Sequence, residues 1–186
     1  MFDDLRDSPY IRVADDSVPE HSMFAYKYVR DHLLWFFQED RPLSTTKRIL
    51  RDALRGIATL HDKGIVHTDI KPNNILVEWK ENGDDIIAEQ VQIADIEDAA
   101  YVPDDCIIEG AQRGNWMWRS PEAHVAGPMH KPTDMFSFGR VVSSAQTLTN
   151  TFRLSASISA STPSQSQWYL QSMRANSPKR PYLKMS

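Results

Sequence analysis

Ile65-Val66-His67-Thr68-Asp69-Ile70-Lys71-Pro72-Asn73-Asn74-Ile75-Leu76-Val77 is the stretch on which the fold turns. An apolar pair leads into His67, Thr68 and Asp69. A Lys-Pro turn follows, then Asn74, then a second apolar run. A polar loop between apolar flanks is the pattern of side chains held in fixed places above a core. Asp69 and Asn74 are five residues apart with Lys71 between them, and Pro72 stiffens the turn by fixing φ. A carboxylate, an ammonium and an amide brought to one spot suit phosphoryl transfer. The carboxylate takes a hydroxyl proton, the ammonium neutralises a transferred phosphate, and the amide oxygen ligates Mg²⁺.

Upstream of this loop, Ser44 to Lys63 carries the clearest helical period. Ile49, Leu50, Ala53, Leu54, Ile57 and Ala58 form one apolar stripe, and Lys47, Arg48, Arg51 and Arg55 form a solvated basic face. Ser44 is the expected N-cap, and Gly64 suits the left-handed position past the end. Before it, the apolar cluster Leu33 to Phe37 starts a short helix that the Arg41-Pro42 step ends. Earlier still, Tyr10 to Val13 and Met23 to Val29 read as two strands of a hairpin, separated by the acidic turn Asp15 to Glu20.

Downstream, Asn74 to Trp79 and Gln90 to Ala94 read as short strands around the turn Glu81 to Asp85. The second strand ends at Asp95-Ile96-Glu97. Ala99 to Gln112 reads as a mobile segment, and Gly114-Asn115-Trp116-Met117-Trp118-Arg119-Ser120-Pro121-Glu122 follows it, with the paired tryptophans expected to pack. Lys131 to Val142, containing Thr133-Asp134-Met135-Phe136-Ser137-Phe138-Gly139, reads as a helix that starts at Thr133-Asp134.

Taken together and in order, these marks resemble the protein kinase family. His67, Asp69 and Asn74 match its catalytic loop, with Thr68 where an Arg usually stands. Asp95-Ile96-Glu97 stands at the Asp-Phe-Gly triplet. Glu97 is the departure, because glycine allows backbone angles closed to glutamate, so a stiffer or reshaped metal loop is expected. Ser120-Pro121-Glu122 stands at Ala-Pro-Glu, Asn115 replaces a Thr, and Asp134 matches the Asp of the central helix.

The resemblance implies a fold and a site. The fold is α+β, mainly helical. Residues 1–30 are a small-lobe remnant hairpin and hinge, residues 31–142 a kinase-like large lobe, and residues 143–186 a disordered or weakly helical tail. ATP binds with Leu76 under the adenine and the Lys27, Tyr28 and Val29 backbone beside it. Asn74 and Asp95 hold Mg²⁺, Asp69 takes the substrate proton, and Lys71 steadies the γ-phosphate and favours Ser/Thr substrates. His67, Glu122 and Asp134 are structural supports: Asp134 braces the catalytic loop backbone, and Glu122 pairs in the family with an Arg from a later helix. Thr68 removes the Arg that commonly reads activation-loop phosphorylation.

Other parts of the template have no counterpart. No Gly-x-Gly-x-x-Gly occurs in the chain, and there is no candidate for the small-lobe Lys and its Glu partner. The resemblance is expected to stop at Val142, which leaves Glu122 without its partner and apolar surface on the central helix uncovered. The reading is therefore a truncated Ser/Thr kinase with weak or absent activity; the alternative is a catalytically dead pseudokinase that binds protein partners as a scaffold. A small-molecule phosphotransferase can share the His-x-Asp-x-x-x-x-Asn spacing, but Lys71 and Ser120-Pro121-Glu122 disfavour it.

Composition agrees with one globular domain. The 186 residues are 41% apolar and 25% charged, with a net charge of −4. From Ser143 onward there is no Asp or Glu and five basic residues, so the first 142 residues carry −9. An acidic body gives no reason to expect nucleic acid binding. Cys106 is the sole cysteine, so no internal disulfide forms. The acidic start Met1-Phe2-Asp3-Asp4 is not a secretory signal, and no apolar run approaches the ~18–20 residues that span a bilayer. A cytoplasmic or nuclear location is the expectation.

Overall fold

The computed structural model describes residues 3–39, 41–83 and 85–158, with side chains through residue 147. Met1–Thr149 is one compact unit. At its centre the helix α2 (Leu43–Asp62) packs on a hairpin of two long strands, β5 (Ile75–Asn82) and β6 (Asp85–Ile93). Along β5, Ile75, Val77 and Trp79 are buried and Lys80 is exposed, the period-two burial of a sheet with one face on a core. Thr45 Oγ1 on α2 donates to the Ile86 carbonyl of β6 at 2.9 Å, which ties the start of the helix to the hairpin.

Both long strands run beyond the expected bounds. Pairing continues to Asn82 and Asp85, so Glu81, Asn82 and Asp85 of the expected turn are strand, while Gly83 keeps the left-handed conformation of a turn at the tip. The buried face of α2 comprises Thr45, Thr46, Ile49, Asp52, Ala53, Gly56, Ile57 and Leu60. Leu54 and Ala58 of the expected stripe are exposed, because close approach of β6 at Gly56 rotates the packed face toward the small residues. The helix starts at Leu43 with Pro42 before it, and no side chain caps it. Gly64 takes φ 68° after the last turn.

The N-terminal region forms a hairpin, but not the expected one. β1 (Asp16–Val18) pairs antiparallel with β2 (Met23–Ala25) across a 3₁₀ turn at Pro19–His21. The acidic residues read as a turn supply the first strand. Tyr10 to Arg12 lies instead beside the end of β6: Arg12 N–H donates to the Ile93 carbonyl, and Ile93 N–H to the Tyr10 carbonyl, both at 2.8 Å. Burial explains the choice, since this docking places Ile11 in the core at 1% exposure.

Two residues, Asp31–His32 (β3), pair with Val77 and Leu76 of β5 and lead into the single-turn helix α1 (Leu33–Phe36). That helix ends well before Arg41-Pro42. Phe36 and Phe37 enter the core, and the Arg30 and Arg41 guanidinium groups lie 3.8 and 4.5 Å from the Trp79 ring centroid. β4 (Ile65–Val66) pairs with β7 (Ala100–Tyr101). The helix α3 (Pro121–His124) precedes α4 (Lys131–Ile158).

α4 overturns the boundary expected at residue 142. It continues to Ile158, and Val141 and Ala145 are fully buried in the core. Within it the Ser143 and Thr147 hydroxyls donate back to the Gly139 and Ser143 carbonyls, one turn earlier. Residues 159–186, including Ser177-Pro178-Lys179, lie outside the described residues. Among the described residues, no helix is long and apolar enough to cross a membrane.

Candidate active site

The loop after β4 is built from its buried end outward. His67 is fully buried. Its Nδ1 accepts from the Asp69 N–H at 3.3 Å, so Nε2 carries the hydrogen and donates to the Ala94 carbonyl at 2.9 Å. Asp134 comes from the first turn of α4 and is also buried. Its Oδ2 accepts the His67 N–H at 2.8 Å and Oδ1 the Thr68 N–H at 2.9 Å, while His61 Nε2 lies 2.9 Å from Oδ2. One carboxylate thus satisfies two backbone donors of a loop that has no ladder partner there. Thr68 is held at φ 69°, an uncommon conformation for a β-branched residue.

Asp69 projects from this frame. Its Oδ2 accepts a hydrogen bond from Lys71 Nζ. Asn74 Nδ2 lies 3.0 Å from the Asp69 carbonyl, 3.4 Å from Asp69 Oδ2 and 3.2 Å from Asp95 Oδ2. The ammonium, the amide and both carboxylates therefore meet at one point. Asp95 arrives there because β6 ends beside the loop, where the Ala94 N–H donates to the Asn74 carbonyl at 2.9 Å.

Asp95 and Asn74 fit Mg²⁺. They offer a carboxylate and an amide of the hard-oxygen type close together, Asp95 exposed and Asn74 buried beside it. Among the described residues, no cluster of three or more His, Cys, Asp or Glu would cage a different ion. Asn74 turns its NH₂ toward the two carboxylates and donates a hydrogen bond to each; a half-turn about χ2 presents its oxygen instead.

The expectation of a reshaped loop at Glu97 is met differently. The left-handed residue is Asp95, at φ 65°, and Glu97 is not among the positive-φ positions. Glutamate is therefore admitted without strain. Ile96 is buried as the apolar member of the triplet. The Glu97 carboxylate accepts a hydrogen bond from the Tyr26 hydroxyl. That bond, together with burial and repulsion from the Glu97 charge, pushes the Tyr26 phenol up to about 12.

The residues assigned to the adenine side are spread along one edge. Leu76 is half-buried opposite His32 and Gln92. Lys27 to Val29 joins β2 to β3 without regular secondary structure. Val29 is half-buried, Tyr28 is exposed, and the Lys27 carbonyl accepts from Arg12 Nη2 at 3.0 Å.

The segment expected to be mobile is tethered at two places, by β7 on β4 and by a bridge from Ile108 to Met129. It returns to the loop at Gly114, whose φ is 78° and where a Cβ would sit 2.4 Å from the Thr68 carbonyl oxygen. The Asn115 N–H then donates to Asp69 Oδ1 at 2.7 Å. Sequence reasoning missed this contact because the backbone makes it; the one signal was the glycine before Asn115. His61 was missed as well, being 73 residues from Asp134.

Trp118 packs against the core, but Trp116 is 67% exposed, against the expectation that both tryptophans pack. Glu122 has a partner after all, since Thr133 Oγ1 donates to it at 3.0 Å. Burial pushes the Glu122 carboxyl up, but the Ser120 and Thr133 hydroxyls and its own backbone outweigh that and hold it below the usual range.

A family model described as protein kinase domain matches residues 10–182, well past Val142. Serine/threonine-protein kinase pkn2 of Myxococcus xanthus is 27% identical over 126 residues, covering 64% of this chain and 15% of that protein. Serine/threonine/tyrosine-protein kinase HT1 of Arabidopsis thaliana is 29% identical over 100 residues, covering 54% of this chain and 23% of that protein. The chain thus spans less than a quarter of the length of these relatives. The crystal structure of the yeast RNA Pol II CTD kinase CTDK-1 complex matches with a TM-score of 0.60 at 20% identity, over 72% of this chain and 43% of that one. The α+β architecture is that fold.

Proposed function

The chain belongs to the protein kinase family, and on that premise we propose that it transfers the γ-phosphate of Mg²⁺-bound ATP to Ser or Thr hydroxyls of a protein substrate. One observation carries this reading: Asn74 Nδ2 stands within 3.4 Å of both the Asp69 and Asp95 carboxylates, with Lys71 bonded to the former. Asp69 would orient a hydroxyl and take its proton. Lys71 neutralises charge on the group in flight and is the feature that favours Ser/Thr over Tyr. Asp95 and Asn74 would hold the ion, which when bound draws charge from the phosphates. Leu76 and the Lys27 to Val29 backbone would take the adenine.

A specific observation favours a second reading, a pseudokinase that binds protein partners. Both Asp69 oxygens are engaged, Oδ2 by Lys71 and Asn74 and Oδ1 by the Asn115 N–H. A substrate hydroxyl therefore has to share an oxygen that already accepts a hydrogen bond. The experiment is phosphate transfer from labelled ATP to a generic protein substrate, with Asp69→Asn and Asp95→Ala beside the wild type. The proposal expects transfer that Asp69→Asn reduces by about 10²–10⁴-fold. Mg²⁺-dependent nucleotide binding without any transfer would establish the second reading instead.

A further inference from the structure

Glu97 stands where the family triplet has glycine, and its exposed side chain has no packing reason to be there. It accepts a hydrogen bond from Tyr26, 71 residues earlier in the chain. Tyr26 is itself fixed. The Arg12 guanidinium lies 5.0 Å from its ring centroid, and Arg12 Nη2 donates to the next carbonyl, that of Lys27. Arg12 N–H in turn donates to the Ile93 carbonyl, two residues before Asp95. The stretch 93–97 is thus held at both ends by one N-terminal assembly, at Ile93 through Arg12 and at Glu97 through Tyr26. At its middle Asp95 keeps a left-handed conformation at φ 65°, uncommon outside glycine although Asp takes it more readily than most residues.

We infer that Tyr26 is a positioning residue for the metal-binding carboxylate, its bond to Glu97 clamping the 93–97 stretch so that Asp95 Oδ2 stays turned toward Asn74. This rests on the Mg²⁺ reading of Asp95 given above. Groups that orient a metal ligand without touching the metal typically change affinity 10–100-fold when removed.

The test is titration of the full chain with Mn²⁺ as a paramagnetic probe, following free Mn²⁺ by electron paramagnetic resonance. Tyr26→Phe and Glu97→Gly should each weaken binding about tenfold or more. The double variant should be no worse than either, because both remove the same bond. Glu97→Gln keeps an acceptor and should recover most of the affinity. Binding within about twofold of wild type in Tyr26→Phe and Glu97→Gly overturns the clamp, as does a double variant whose losses multiply. If wild type binds no Mn²⁺, or binds it equally after Asp95→Ala, the metal reading falls and takes the clamp with it. Binding that Asp95→Ala abolishes but the clamp variants leave untouched removes the clamp alone.

Discussion

Replacing Asp134 by alanine strips the catalytic loop of its anchor. The carboxylate is 1% exposed and accepts from the His67 N–H at 2.8 Å and the Thr68 N–H at 2.9 Å, with His61 Nε2 at 2.9 Å. The His61 side chain is 13% exposed, so it keeps some access to water and adds less than the two backbone donors. The two backbone donors cannot move and remain buried. An unpaired buried donor costs about 1–3 kcal/mol, so Asp134→Ala should destabilise by about 2–6 kcal/mol. That is a large share of the ~5–15 kcal/mol that holds a domain of this kind. In a urea titration with a slope of about 2 kcal/mol/M, the midpoint should fall by roughly 1–3 M. Asp134→Asn keeps one acceptor oxygen but sets an NH₂ against the other N–H, and should lose roughly half as much. His61→Phe removes only the outer contact and should cost under about 1 kcal/mol. A midpoint for Asp134→Ala within roughly 0.25 M of wild type would refute the reasoning, since it would mean that these donors find water or another acceptor at no cost.

Three further outcomes follow from the same geometry. Gly114→Ala forces a Cβ to 2.4 Å from the Thr68 carbonyl at φ 78°, and should cost about 2 kcal/mol or more. Gly83→Ala, at φ 64° in open space, should cost only about 1 kcal/mol, and equal melting-point losses would contradict the close approach. Gly56→Ala puts a Cβ 2.7 Å from Ile93 Cγ1 and 2.8 Å from the Tyr10 carbonyl. It should destabilise by about 1–3 kcal/mol and expose residues 10–13 to proteolysis, while intact protection would show that this segment docks by other means. Glu122 has its carboxyl depressed below the ordinary 4.5, so its contribution is present above that pH and is lost as pH falls through the lower folded value. Ser120 and the Glu122 backbone contribute more to this depression than Thr133, so Thr133→Val should remove part of the acid limb of the stability–pH curve, and an unchanged limb would exclude the contact as a source of acid sensitivity.

Much of the site could be read from the chain because local spacing does the placing. Asp69, Lys71 and Asn74 converge within one loop whose turn Pro72 sets, and the apolar run after Asn74 commits that loop to a strand. The helix of residues 43–62 and the hairpin of residues 75–93 announced themselves by period, and only their ends slipped, because pairing and docking extend elements past their local signals. The N-terminal hairpin failed for a different reason. Period-two patterning marks Tyr10 to Val13 as strand but is silent on the partner, and burial of Ile11 against Ile93 outweighed the nearer pairing.

What the sequence by itself determined is which polar side chains the loop carries and in what order, since side-chain chemistry and short spacings are local properties. Tertiary structure alone decided which donors meet the remaining carboxylates: the Asn115 N–H on Asp69, Thr133 on Glu122 and Tyr26 on Glu97. These partners are 11 to 71 residues apart. A backbone N–H is the same in every residue, so no pattern along the chain could mark the one that the fold brings to a carboxylate.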